Sequence, residues 1–341
     1  MPRTHAGSIV APVAHVTVFG AGAMGTAFAI HTARLGLDAA LWANPVDRPV
    51  YETMRESRRH PLLTEHLPAE LAVFGPEELH AAAEGCDVAI MGANTHGARS
   101  LARMVKEVVG GVSAVVSVAK GLEPQSGQRT SEVYREELAA DVLAIGGPCL
   151  AAELAEELPT AAVWAGPSLM FARSIGARFE SPAYQIVYSE DLPGVEYCSM
   201  MKNVAAIGLG ILDGLGKPTN RDFKNAKAAL FAKAAHELAE LVTALGGREE
   251  TALGLAGMGD ALVTSLGGRN RLYGELVGAG DPPESTLREL EARGLTVEGV
   301  ASTRDVHRLA GETGLDLPYH LAIYRVLFEG ADPRHVLEVL R

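Results

Sequence analysis

Three glycines and a lysine are the first residues from which chemistry can be read. Gly20, Gly22 and Gly25 stand in the pattern G-x-G-x-x-G. That spacing suits a dinucleotide pyrophosphate: Gly20 permits a tight turn, Gly22 lets phosphates approach the backbone, and Gly25 lets a helix pack closely on the preceding strand. The anion then lies at a helix N-terminus, where free N–H groups and the helix dipole favour negative charge. Lys120 follows the apolar run over 112–119. At the carboxyl end of a strand beside a nicotinamide its charge could polarise a carbonyl; composition alone also accommodates it as a solvated loop residue.

A doubly wound parallel sheet is what would hold such residues together. Strands are expected over 16–19, 38–42, 87–92, 112–119, 141–146, 160–164 and 184–188, about seven in all, with helices over 26–35, stopped by Gly36, and 97–109. Residues 45–75 are polar and proline-dotted and read as helix and loop. The strand over 38–42 should end near an adenosine ribose, where a carboxylate about twenty residues past the loop is usual for NAD. Asn44 stands there instead, with Arg48 close by. Asn44 can still hydrogen-bond a ribose and Arg48 can meet a 2′-phosphate or remain solvated, so NAD and NADP both stay open.

From about residue 192 alanine-rich helical patterns replace the β-branched runs. One helix is expected over 198–210 carrying Lys202 and Asn203, and a longer one over 224–245. The glycine-punctuated stretch over 252–264 contains Asp260, then Gly267-Gly268-Arg269-Asn270 follows, and two further helices divided by Pro333 close the chain. The fold class is therefore α/β: a disordered leader over 1–12, a Rossmann-type dinucleotide-binding domain over 13–191, and an all-helical C-terminal domain over 192–341.

At 341 residues with 48% hydrophobic content the chain can bury two substantial cores. A formal charge of -12 argues against a nucleic-acid partner or an anionic membrane surface, so any phosphate site must be local. The three cysteines, Cys86, Cys149 and Cys198, lack CxxC spacing, which suggests neither a disulfide framework nor a metal site and fits a reducing cytoplasm. The N-terminal apolar stretch, broken by Pro12 and His15, does not read as a signal peptide, and no run reads as long and apolar enough to enter a membrane.

These motifs, in this order, resemble the soluble NAD(P)-dependent glycerol-3-phosphate dehydrogenase family over nearly the whole length. The matching segments are GAGAMG, the AKGLE around Lys120, GGPCLAAELAEELPT, MKNVAAIGLGILDGLG, NAKAAL, GLAGMGD, the GGRN at Arg269 and Asn270, TVEGVAST and LPYHLAIYRVLFEG. The resemblance implies hydride transfer between nicotinamide cofactor and dihydroxyacetone phosphate, giving sn-glycerol 3-phosphate, in a homodimer whose helical domain binds the small phosphorylated substrate. By position it makes Lys202 the proton donor to the nascent alkoxide, Asp260 the carboxylate that orients it, and Lys120 a second lysine over the carbonyl. Arg269 and Asn270 become the phosphate clamp, with Thr264 near them. The cofactor, NAD or NADP, is expected along Gly20, Gly22, Ala23, Met24, Gly25 and Asn44. Ala93, Asn94, Lys120, Ala152, Arg269 and Glu298 complete its surround.

The residue types suit that reaction. Reducing a ketone develops negative charge on oxygen, so a nearby cation stabilises the transition state and an ammonium can supply the proton. Two adjacent lysines depress each other's pKa and a flanking carboxylate pulls it back. Taken singly, Lys202 also fits a lysine snorkelling from a helix and Asp260 a turn residue after glycine; as an ordered set they read as a site.

Four departures from the family pattern bear on the substrate surround. Ala93-Asn94-Thr95 replaces a V-P-[ST] turn, Cys149 replaces serine or asparagine, residues 217–224 lengthen a loop, and Lys233 stands for an arginine. They keep open a paralogous dehydrogenase acting on a related anionic polyol or keto substrate, while a catalytically silent cofactor-binding sensor is a further alternative.

Overall fold

The computed structural model describes residues 15–341; the leader expected over 1–12 lies outside the described residues. Eight strands form one sheet: β1 (His15–Phe19), β2 (Asp38–Trp42), β3 (Ala72–Phe74), β4 (Val88–Met91), β5 (Ala114–Ser117), β6 (Val142–Gly146), β7 (Thr160–Ala165) and β8 (Tyr184–Ser189). Their order is β3-β2-β1-β4-β5-β6-β7-β8, parallel except for the antiparallel β6–β7 pair. All seven expected strands are present. The eighth, β3, is three residues long, too short to show a periodicity within its polar segment.

The residues of the central strands are buried on both faces because helices cover both. Val88, Ile90 and Val116 pack with Phe28 and Ile30 on one side, while Ala89, Met91 and Val115 pack with Leu101 and Val105 on the other. This is the two-residue alternation of a strand, with both sides buried.

Every element after β8 is helical. The helix expected over 198–210 runs from Leu192 to Gly216, starting under an Asp191 cap whose Oδ1 accepts from Gly194 N at 3.0 Å. The expectation that no run could enter a membrane needs correction: Leu192–Thr219, 28 residues, meets that test of length and composition. The most apolar window is 89% buried inside the protein, so its hydrophobicity serves the core. The two closing helices are in fact five, Arg269–Ala279, Pro283–Ala292, Glu298–Thr313, Pro318–Phe328 and His335–Glu338, punctuated at Gly280, Gly294 and Gly314 in the left-handed region as well as near Pro333. The helix expected over 97–109 is shorter, Ala98–Val105.

Gly210 and Gly214 within the central helix face the backbone of the helix Arg269–Ala279. A Cβ on Gly210 would lie 2.2 Å from the carbonyl oxygen of Arg271, and one on Gly274 would lie 2.1 Å from that of Ile207. The central helix and the helix Arg269–Ala279 thus touch main chain to main chain. Gly210→Ala should destabilise the protein by about 2 kcal/mol or more through overpacking against backbone, whereas Gly311→Ala, with nothing within 4 Å, should stabilise by about 0.5–1 kcal/mol. Urea unfolding midpoints compare the two; equal midpoints would refute the close-approach account.

Candidate active site

Lys120, Lys202 and Asp260 come from three separate elements and meet. Lys120 lies just beyond β5, Lys202 on the central helix, and Asp260 opens the helix Asp260–Leu266. Ahead of Asp260 the chain makes one π-helical turn, Leu255–Gly259, in which a Cβ on Gly257 would sit 1.8 Å from the carbonyl oxygen of Ala252. Such a turn re-aims the side chains that follow it. Lys202 Nζ donates to Asp260 Oδ1 at 2.6 Å, and Lys120 Nζ donates to Oδ2 at 2.7 Å and to the Gly147 carbonyl at 3.0 Å.

One carboxylate therefore faces two ammonium groups in a buried setting, with Asp260 only 1% exposed. Burial alone would raise the Asp260 pKa, yet the two lysines hold it below the ordinary value. For Lys202, burial and the charge of Lys120 outweigh the attraction of Asp260 and bring the ammonium down to about 8. Burial pulls Lys120 down as well, but Asp260 overcomes it and the net direction is upward. The two lysines thus divide: Lys120 stays charged and Lys202 titrates near working pH.

The glycine loop has the shape its spacing predicts. Gly20 has φ +113°, and a Cβ on Gly25 would lie 2.2 Å from the Gly20 carbonyl oxygen. Gly92, just past β4, shares this crowding: a Cβ there would be 2.6 Å from that same oxygen. Gly22 is different: a Cβ there would meet nothing closer than 3.8 Å, so the space beside it is open to a ligand. The helix Ala23–Arg34 starts at Gly22 with no side-chain cap and no acidic residue in its first turn. These residues fit a pyrophosphate at Ala23 and Met24.

Other expected residues are placed with varied clarity. Asn94 is exposed and its Oδ1 accepts from Gly97 N at 3.1 Å, bracing the turn that lacks a proline. Ala93 lies beside it, half-buried, and Ala152 is exposed on the short helix Ala151–Ala155. Asn44 caps a 3-10 turn, its Oδ1 accepting from Val46 N at 2.9 Å. A side-chain oxygen held there is not free for a ribose; three residues on, Asp47 turns back to the glycine loop, its Oδ2 accepting from Ala21 N at 2.8 Å.

Arg269 is exposed at the start of its helix and makes no hydrogen bond or ion pair among the described residues. Asn270 differs from the expected phosphate clamp, since both ends of its amide bond protein: Nδ2 donates to Asn203 Oδ1 at 2.9 Å and Oδ1 accepts from Gly299 N at 2.9 Å. It ties the Arg269 helix to Lys202's helix and to the one begun by Glu298. Thr264 is half-buried on the helix Asp260–Leu266. Sequence reasoning gave Asn203 no role, but its Nδ2 is buried without a partner, and its signal was adjacency to Lys202.

Some of the departures acquire physical explanations. Cys149 packs into the sheet-side core within reach of the charges of Lys120 and Asp260, and burial pushes its thiol up to about 11, so it is neutral. In the lengthened loop Lys217 pairs with Glu275 at 2.7 Å and Lys224 with Asp222 at 3.6 Å; both are directed to protein carboxylates. Arg221 and Lys233 have no ion pair among the described residues, and nothing in the geometry explains Lys233.

Two family models match the chain. That described as the NAD-dependent glycerol-3-phosphate dehydrogenase N-terminus covers residues 15–172, and that of the C-terminus covers 191–338. A glycerol-3-phosphate dehydrogenase [NAD(P)+] of Thermoanaerobacter sp. (strain X514) is 35% identical over 93% of this chain and 94% of its own. An NADP(+)-dependent glycerol-3-phosphate dehydrogenase of Archaeoglobus fulgidus is 32% identical over 94% and 97%. Among solved structures, glycerol-3-phosphate dehydrogenase from Coxiella burnetii superposes with TM-score 0.84 at 29% identity, covering 96% of this chain and 99% of that one.

Asp260→Asn would leave two buried ammonium groups without a counter-charge and should destabilise the chain by about 3–5 kcal/mol. Arg269→Ala, exposed and unpaired, should shift stability by less than about 0.5 kcal/mol. Denaturant titration of both variants measures this; similar losses would contradict the arrangement.

Proposed function

The chain belongs to the NAD-dependent glycerol-3-phosphate dehydrogenase family, and from that premise we propose how its own residues carry out the reaction. It is an oxidoreductase acting on a CH–OH donor, interconverting dihydroxyacetone phosphate and sn-glycerol 3-phosphate with NAD or NADP. The observation that carries the residue assignment is Asp260 held between the ammonium groups of Lys120 and Lys202.

In reduction, Lys202 donates its Nζ proton to the carbonyl oxygen as that oxygen gains charge, leaving a neutral amine. Lys120 stays charged and stabilises the developing alkoxide. Asp260 fixes both lysines in place and keeps the pair from repelling itself apart. A nicotinamide cofactor held by the glycine loop would supply the hydride for the carbonyl carbon in reduction and take it up in the reverse direction. Gly20, Gly22, Ala23, Met24 and Gly25 hold the cofactor's phosphates, with Ala93, Asn94, Ala152 and Glu298 bordering it.

For the substrate phosphate, Arg269 offers a planar fork at a helix N-terminus, two features that both favour an anion. Thr264 adds a hydroxyl, the unpartnered Asn203 amide a further donor, and Asn270 acts as a positioning residue. The same proposal includes a boundary between residues 191 and 192, cytoplasmic residence, which the free thiols of Cys86, Cys149 and Cys198 support, and a homodimer, which light scattering would test.

Lys202→Ala should lower kcat for dihydroxyacetone phosphate reduction by about 10²–10⁴-fold while NADH binding persists; unchanged turnover would remove Lys202 from the mechanism. The pH dependence has a definite sign. Reduction needs the Lys202 ammonium, so its rate should fall as pH rises through about 8; oxidation needs the amine and should rise over the same interval. Profiles that run in the same direction would contradict the assignment.

A further inference from the structure

The end of β2 carries information about the nucleotide that the family membership leaves open. Asn44 caps the turn Pro45–Asp47 and folds the chain back, so that the Asp47 carboxylate accepts the Ala21 N–H at 2.8 Å, in the middle of the glycine loop. Arg48, the nearest cation, is directed to Glu77, with which it forms an exposed ion pair. On the segment beyond, the Arg58 guanidinium donates to the Pro68 carbonyl, and Arg59 Nε donates to that of Thr64 at 2.7 Å. Arg55 lies seven residues along the helix Arg48–Ser57, about 10 Å from Arg48 along the axis. His60 is buried next to Ala21 and burial lowers its pKa, so it contributes a neutral ring.

Building on the reading that this loop holds a dinucleotide, we infer that Asp47 is a specificity-determining residue and that the chain prefers NAD to NADP. A carboxylate at the end of β2 can accept hydrogen bonds from a free ribose diol. A 2′-phosphate in the same place meets that negative charge, with Arg48 already engaged by a carboxylate and no further cation committed to the position. Like charges a few ångströms apart at a protein surface are strongly disfavoured, and cation forks rather than carboxylates recognise phosphate. Relatives of this chain carry names specifying NAD(P)+ and NADP(+), so the preference is a property of these residues and not of the fold.

The test is calorimetric titration of the full chain with NADH and with NADPH, without substrate, at two salt concentrations. NADH should bind at least about tenfold more tightly, the gap narrowing at high salt as the repulsion is screened. Asp47→Asn should reduce the ratio at least about fivefold by tightening NADPH and loosening NADH. Glu77→Gln, which leaves the loop untouched and releases Arg48, should tighten NADPH alone. Equal or tighter NADPH binding by the wild type, or a ratio that neither variant moves, would overturn the preference. Should the wild type bind neither nucleotide, the dinucleotide reading fails with it; equal binding with intact dihydroxyacetone phosphate reduction overturns the preference alone.

Discussion

Asp260 is the point on which this structure turns. Its two oxygens accept from two lysines at 2.6 and 2.7 Å, one brought by the sheet and one by the central helix. A buried carboxylate is costly to desolvate, and so is each ammonium; together, with geometry this short, they offset one another. The arrangement carries one more positive charge than negative. That surplus is what a reaction generating an oxyanion can use, and it is why Lys202 holds its proton less firmly than an ordinary lysine.

The halves of the molecule must be locked in register for three elements to converge on one carboxylate. A second buried acid does this away from the site. Glu196, on the central helix, accepts from Thr130 Oγ1 at 3.0 Å and from Ser131 N at 2.8 Å, with Arg129 at 3.3 Å. These partners lie at the start of the helix Thr130–Leu138 on the sheet side. Glu196 therefore fixes where the central helix sits against the sheet, and so where Lys202 sits relative to Lys120.

Removing side chains serves both ligand-facing regions. At the glycine loop, Gly20, Gly25 and Gly92 let two strand ends and a helix start occupy almost the same space, while Gly22 keeps its side open. Between the central helix and its neighbour, glycines bring backbones into contact and allow Asn270 to reach Asn203. The close packing is a positioning device as much as a stabilising one.

Much of this was legible in the residues alone. Seven strands show as runs of Val, Ile and Ala because a sheet covered on both faces is apolar throughout. The glycine spacing reports its own steric needs, and Lys120, Lys202 and Asp260 from the ordered set meet as a charged cluster within an acidic chain. Other features depend on which atoms meet across long stretches of chain. No pattern in the sequence says that Asn44 serves as a cap while Asp47, three residues later, reaches Ala21. Nor does one say that Asn270 bonds protein at both ends, or that the apolar helix from Leu192 lies inside the molecule. Residue type and local spacing determine what each group can do; only tertiary packing decides which partner it finds, because hydrogen-bond partners and desolvation are set by neighbours distant in sequence. The pKa values of the two lysines are the sharpest case, since identical side chains are driven apart by surroundings that no local segment contains.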